Sequence, residues 1–519
     1  MELQAVNTFG AAEADNDDLL LECFQDHEAY LAAKSHDKFL IVGRKGSGKT
    51  AIFKKLVSEK SDQQFCQGHS FSDYPWFHHD KQKKAGVPDA ECFRYSWEYV
   101  ILISMAKIVL NDAAEPWTEE SIEAMARLES FMVDTYGSVS PELKRVFSPE
   151  TTLKLKPSLT AGWGPLKGSI SAERVEIEHL PLVIYEVNDA LADTLIRCLN
   201  PDFSYHVCFD ELDRGFTTQD DNYKNRLSGL LIAARDFNRR LKVAGKKASV
   251  VVFLRDDILR YLRFEDKNKI VEDFSSVIEW DKPSTGRSLK DVMERRFARI
   301  LDIEVDGAWE AVFNENLQMP GRQSKFQHVL DRTFKRPRDI IKLVNEVLRA
   351  YKQNGSKTEK FENTDIRDAR GEYSKYLRKE LVDEMHQHFP QESSAFDILR
   401  VLGAQSFTLK AFTEAHRDLL ARRPDLPGFA LMLRELYDFS AIGFLKIGGS
   451  GGGSEWVWRY QDTDAEYDER ATIFRIHSGL KEVLGLKQGR AVGEGEVAEA
   501  EAEAEPEPEP DEIAAETVG

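Results

Sequence analysis

The octapeptide GRKGSGKT, residues 43 to 50, combines three glycines with a lysine and a hydroxyl in the spacing G-x-x-x-x-G-K-T. Glycines let backbone N–H groups close around phosphate oxygens, a lysine reaches the outer phosphates, and a threonine hydroxyl suits a magnesium ion. Gly43, Arg44, Lys45, Gly46, Ser47, Gly48, Lys49, Thr50 and Ala51 are therefore the candidate nucleotide-binding residues, with ATP and Mg2+ as the expected ligands. A Gly/Ser surface turn is the competing reading. The flanks favour the cradle, because an apolar strand, Phe39 to Val42, precedes it and the amphipathic AIFKKLV follows. A helix starting at Gly48-Lys49 adds the partial positive charge of its N-terminus.

A second element supplies acids. In YHVCFDELD (205 to 213) the apolar strand Val207-Cys208-Phe209 ends on Asp210-Glu211. Asp210 suits the metal's coordination shell, beside Thr50, and Glu211 suits the base that orients an attacking water. An acidic turn after a core strand is the plain alternative. Two arginine positions remain open between roles. Arg255 ends the next strand, ASVVVFLRDD (248 to 257), where a side chain can sense a terminal phosphate or pair with Asp256 or Asp257. Arg336 and Arg338 begin the amphipathic helix of RPRDIIKLVNEVLRAY, where an arginine can swing onto phosphates or be held by neighbouring acids.

These elements need positioning by a larger body. A chain of 519 residues exceeds one core and predicts two or three domains. The composition, 42% hydrophobic and 31% charged, is that of a soluble protein. The longest apolar run, YVILISMAKIVL (99 to 110), is interrupted by Lys107 and reads as a buried helix rather than a membrane span. No basic-then-apolar leader is visible, so a cytoplasmic location is expected, without membrane association. Five cysteines lack any C-x-x-C pair, which argues against a disulfide framework and a zinc site. WFHHD (76 to 80) tempts a metal reading, but consecutive side chains diverge.

Net charge is −19, yet residues after Arg490 hold eleven acids and no base, leaving −8 on the remainder. That tail, without an aromatic residue, is expected to be disordered. Expected boundaries are an N-terminal helical segment (1–34), a nucleotide-binding core (35–282) with an insert (73–202), a helical lid with a connecting helix (283–389), a winged-helix-like domain (390–489) and the acidic tail (490–519). The insert exceeds a simple crossover and is expected to hold three helices and a protruding hairpin at 153 to 178. In the last domain, three helical patterns precede GFLKIG, EWVWRY and TIFRIH, with GGSGGGS as a wing tip. The third pattern, GFALMLRELYDF, carries one arginine and two acids, so sequence-specific base reading is not expected.

Taken together, GRKGSGKT, FSDYPW (71 to 76), SWEYVIL (96 to 102), FDELDRG (209 to 215), FLRDDI (253 to 258), NKIVEDFSSVIEWD (268 to 281) and RPRDII (336 to 341) resemble a family of bacterial P-loop ATPases. That family is related to the origin-recognition and STAND branches of the AAA+ superfamily, and several members sit in anti-phage defence loci. The resemblance runs from about residue 19 to 485. It implies an α/β fold with an AAA+ (ASCE-type) P-loop core on a five-stranded parallel sheet. It also implies Arg255 as sensor 1, Arg338 or Arg336 as sensor 2, a helical lid and a C-terminal winged helix.

The expected function is an ATP-hydrolysing switch whose output passes to a protein effector subunit, since no second enzymatic motif occurs in the chain. Homo-oligomers are an open arrangement, with Arg214, Arg239 and Arg295 as candidates to complete a neighbour's site. The alternative is an ATP-dependent DNA-loading protein with a basic channel of Arg235, Arg239, Arg240, Lys242, Lys246 and Lys247. A kinase is disfavoured, because a water-activating Glu211 would waste ATP.

Overall fold

The computed structural model describes residues 3–71, 89–113, 115–142, 146, 180–282, 288–389, 391–447 and 453–487. WFHHD, the expected hairpin at 153 to 178, most of the glycine run and the acidic tail lie outside these residues, as does most of FSDYPW. The chain divides into two compact units, Gly10–Arg299 and Met1–Phe9 with Ile300–Gly519.

The first unit is built on a five-stranded parallel sheet. Its strands are β1 (Leu40–Gly43), β2 (Gln64–Ser70), β3 (Ser204–Asp210), β4 (Ala248–Arg255) and β5 (Ser275–Val277), in spatial order β2-β3-β4-β1-β5. Parallel strands covered on both faces need near-continuous apolar runs. The sequence provides them: β1 and β4 are buried throughout and β3 from its second residue. Helix α1 (Glu28–Lys34) precedes the sheet, α2 (Lys49–Ser58) leaves β1, and α3 (Asp89–Lys107), α4 (Glu119–Tyr136) and α5 (Leu180–Cys198) lie in the long connection from β2 to β3. The three helices expected there are thus present, and α4 carries the Thr118–Ser121 capping box that fixes its start.

Helix α6 (Asp221–Val243) joins β3 to β4 and packs closely on α3. Gly229 permits that approach: a Cβ there would stand 2.8 Å from Phe93 Cβ and 2.9 Å from its carbonyl carbon. Cys66 and Cys208 place their thiol sulfurs 3.7 Å apart in adjacent strands, and both remain free, as do Cys23 and Cys198.

The second unit is mainly helical. Its amphipathic helix Pro337–Gln353 packs along Asn363–His386, with Trp309 stacked on Phe313 and Phe361 edge-on to it nearby. Helices Glu392–Leu402, Leu409–Leu420 and Phe429–Asp438 follow. A four-stranded antiparallel sheet completes the unit from Ser406–Thr408, Ile473–Ile476, Ile442–Lys446 and Glu455–Val457, in that order. Three of these strands match the expected pieces; Ser406–Thr408 was not foreseen, being three residues long between two helices. Residues Leu3 to Phe9 belong here, where the Phe9 N–H donates to Asn345 at 2.8 Å.

Arg336 sits at the heart of this unit. It is 2% exposed, and its guanidinium meets both Asp339 oxygens (2.8 and 3.0 Å) and Glu384 (2.9 Å), while the Phe334 ring lies beneath it. Burial alone would depress such a cation, but the two carboxylates raise its pKa well above the usual value. Arg336→Ala strands two buried carboxylates, so it is expected to cost about 3–5 kcal/mol. Urea unfolding of the variant beside the wild type measures this, and an unchanged midpoint would remove Arg336 from the core.

Candidate functional site

The candidate site lies within the first unit, at the carboxyl edge of its sheet. In the parallel register Gly43 stands opposite Arg255 and Ser70 opposite Asp210. Each of these four residues ends its strand, and β4 lies between β1 and β3. The glycine-rich loop and the acidic couplet therefore open onto the same edge, where ligands of open α/β sheets are bound.

Local backbone demands explain the loop's glycines. Gly46 and Gly48 have φ of 80° and 112°, values that L side chains rarely adopt. At Gly43 the constraint is space: a Cβ would meet Ser47 Oγ at 2.4 Å. Gly48 caps α2, so the helix's first N–H groups face the loop. The loop is braced from β5 by Trp280, whose indole N–H donates to the Ser47 carbonyl at 3.0 Å. Lys49 Nζ donates to the carbonyls of Gly43 and Arg44 at 2.8 and 2.9 Å. Ser47 and Gly43 are buried, and Arg44, Lys45, Gly46, Gly48, Lys49, Thr50 and Ala51 are half-buried.

The loop and the acids meet at Thr50, whose hydroxyl lies close enough to Asp210 to favour its charged carboxylate. Asp210 is 3% exposed, and burial, outweighing Thr50 and Lys49, pushes its pKa up to about 6. Its Oδ2 has no hydrogen-bond partner among the described residues, and neither does Ser47 Oγ. Burial also lowers the Lys49 ammonium, opposed by Asp213 and Asp210 and aided by Arg255.

Glu211, half-buried, sits next to this pair with φ of 58°. A left-handed glutamate is strained by about 1 kcal/mol or more. Its carboxylate accepts a hydrogen bond from the Ser70 hydroxyl at the end of β2. The turn that follows is pinned by the Tyr223 hydroxyl, which donates to the carbonyls of Leu212 and Arg214, each at 2.8 Å.

Arg255 is 5% exposed and held by acids, as the second of its two readings had it. It makes a bidentate pair with Asp257 (3.0 and 2.5 Å) and reaches Asp213 at 3.1 Å, so it is an interior rather than a surface group. Arg336 and Arg338 belong to the second unit and are likewise held by acids. Arg338 pairs with Glu380 at 3.0 Å, and Arg336 is buried as described. Sequence reasoning missed Ser70, Asp213 and Trp280. Only Trp280 carried a signal, as the aromatic residue closing the SVIEW run of NKIVEDFSSVIEWD (268 to 281).

Within the described residues no group of three or more His, Cys, Asp or Glu converges on a common point. No helix among them is long and apolar enough to cross a membrane. Of the six cations expected to line a basic channel, Arg240 pairs with Asp189 and Asp193, Arg235 with Asp236 and Asp266, and Lys246 donates to the Leu199 carbonyl. Arg239, Lys242 and Lys247 are exposed.

Comparison with known proteins adds two findings. A family model described as the FunZ-associated C-terminal helical domain matches residues 287–382. The chain is also 25% identical over 403 residues to the 80.3 kDa protein named for transposon gamma-delta in Escherichia coli (strain K12), covering 74% of this chain and 52% of that protein. The chain thus spans about half the length of this curated relative.

The Asp210 carboxyl has a folded pKa above its unfolded one. Its stabilising contribution is therefore present below about pH 4 and lost as pH rises through about 6. Asp210→Asn is accordingly expected to stabilise the ligand-free protein by about 2–3 kcal/mol at pH 8 and by nothing at pH 4. Denaturant midpoints at the two pH values check this; equal effects at both would show that the carboxyl is not isolated from solvent.

Proposed function

We propose that the chain is an ATP-hydrolysing molecular switch of the P-loop class. The observation that carries this reading is the convergence of Thr50 and Lys49 on the buried Asp210 carboxylate, across an intervening β4. A glycine-rich surface turn has no reason to share a buried carboxylate with a strand two positions away in the sheet. Two buried polar atoms left without partners, Ser47 Oγ and Asp210 Oδ2, suit an oxyanion and its divalent counter-ion. Thr50 and Asp210 would hold Mg2+, which when bound supplies neutralising charge to the β and γ phosphates.

In this mechanism the N–H groups of the loop and of the start of α2 bind the phosphates, and Lys49 exchanges its two carbonyl partners for phosphate oxygens. Glu211 orients a water and takes its proton. The water oxygen bonds to the γ-phosphorus, the bond from that phosphorus to the β,γ-bridging oxygen breaks, and ADP leaves with the electron pair. Before this, Glu211 must part from Ser70, because a carboxylate engaged by a hydroxyl is not aimed at water. Arg255 can reach a terminal phosphate only by exchanging Asp213, which makes it a responsive group rather than a permanent clamp.

The finer architecture belongs to the same proposal. We read the helices Glu392–Leu402, Leu409–Leu420 and Phe429–Asp438 with their antiparallel sheet as a winged helix, and residues 283–389 as the helical lid with its connecting helix. An effector subunit supplied by another gene, as in anti-phage defence systems, is the output this reading favours, with a cytoplasmic setting. The second reading, an ATP-dependent DNA-handling protein, draws support from the transposon name of the relative. Two of its six expected cations, Arg235 and Arg240, are paired with carboxylates, which weighs against it.

Lys49→Ala is expected to weaken ATP binding at least ~100-fold, whereas Glu211→Gln should bind ATP normally and turn over ~100- to 1,000-fold more slowly. Equilibrium binding and phosphate release measure the two, and wild-type turnover by Glu211→Gln would sink the assignment. Ser70→Ala frees the Glu211 carboxylate, so kcat should rise by roughly 2- to 10-fold with ATP affinity unchanged. A fall in kcat would mean that Ser70 positions the base instead of restraining it.

A further inference from the structure

In the second unit two guanidinium groups converge on one neutral ring. His328, in the helix Lys325–Leu330, accepts at Nε2 from Arg332 Nε (3.2 Å) and from Arg370 Nη2 (2.7 Å). An imidazole nitrogen that accepts twice carries no proton. The His328 proton therefore sits on Nδ1, which faces Gln323 Oε1 at 3.2 Å. Where a carboxylate ordinarily separates two arginines, this site has an uncharged lone pair.

Lys481 stands close enough to act on all three groups. It makes no hydrogen bond or ion pair among the described residues, and Arg370 Nε is buried without a partner among them. The acids nearby do not balance this charge. Glu482 pairs with Arg332 at 3.0 Å, and Asp331, hydrogen-bonded by Gln323 and Gln327, also faces Arg332, which leaves two carboxylates against three cations. Burial and mutual repulsion lower Arg370 to about 10 and His328 to about 3, and they lower Lys481 as well. Arg332 is anchored by the Ser478 carbonyl at 3.1 Å and is 7% exposed, whereas Arg370 and Lys481 are half-buried and reachable from solvent.

We propose that Arg332, Arg370 and Lys481, arranged around His328, form a binding site for a phosphate oxyanion. Three cations held together in partly desolvated surroundings repel one another, and an anion recovers that energy. Two guanidinium forks and an ammonium, brought in from three segments, suit a ligand with at least three acceptor oxygens, which a phosphate has and a carboxylate does not. The same chemistry is offered by free phosphate and by the phosphodiester of a polynucleotide backbone. This site is independent of the glycine-rich loop and of the nucleotide reading above.

The test uses the full chain carrying Lys49→Ala, so that the loop contributes no phosphate binding, with and without Arg370→Gln/Lys481→Gln. In the first arm, inorganic phosphate is compared with potassium chloride at matched ionic strength. The parent's Tm should rise by about 3 °C in phosphate, and the rise should vanish in the double variant. In the second arm, anisotropy of a labelled short DNA duplex is followed against salt. The double variant should bind roughly tenfold more weakly, with a slope of log Kd on log salt smaller by about 2. Loss in the first arm alone assigns free phosphate, and loss in the second assigns a backbone phosphodiester. If the double variant matches its parent in both arms, the site does not exist. Without ligand the double variant should melt at or above its parent, because repulsion has been relieved; melting several degrees lower would mean that these cations serve the fold and would overturn the proposal.

Discussion

The first unit depends on a carboxylate that is out of water and without a full set of partners. Asp210 ends a strand whose residues from Tyr205 onward are buried, so its charge is poorly solvated, and the Glu211 N–H, the Thr50 hydroxyl and a nearby ammonium offset the cost only in part. Everything around it follows from that imbalance. The loop must approach closely enough for Thr50 to reach it, which requires glycine at 43, 46 and 48. The loop in turn needs bracing, which Trp280 supplies from the far side of β1.

Charge at this sheet edge is arranged as alternation rather than as a cluster of one sign. Lys49, Asp210, Asp213, Arg255 and Asp257 form a connected series in which each cation has an acid beside it. Such a series is stable when closed on itself and can be rewired when a multiply charged anion enters, because an arriving phosphate competes for the same cations. The contrast with the second unit is instructive. There Arg336, Asp339 and Glu384 are closed and buried, which suits a structural core, while Arg332, Arg370 and Lys481 are left with charge to spare.

Much of the candidate site was legible because its chemistry is contiguous in the chain. GRKGSGKT and the strand ending in Asp210-Glu211 announce themselves by residue type and by the apolar runs before them, and the sheet edge then brings them together. Arg255 was placed correctly beside β3, but its partners were open, since spacing cannot say which of Asp213, Asp256 or Asp257 a guanidinium will choose. Ser70 was invisible: a single serine at the end of a half-polar strand carries no periodic signal, and its relevance arises only from the parallel register with Asp210. Likewise Arg336 read as an exposed helix start because Glu384, its second acid, lies 48 residues onward. Ser406–Thr408 escapes because its three residues run straight into the helix Leu409–Leu420, whereas Glu455–Val457, equally short, lies within the longer apolar stretch EWVWRY.

The left-handed backbone at Glu211 has a mechanical implication. A hydroxyl holds the side chain of a residue whose backbone conformation is disfavoured, so the placement of this carboxylate depends on β2 as well as on its own strand. Such a dependence couples two strand tips: a shift at the end of β2 would carry the Ser70 hydroxyl, and with it the position of this carboxylate.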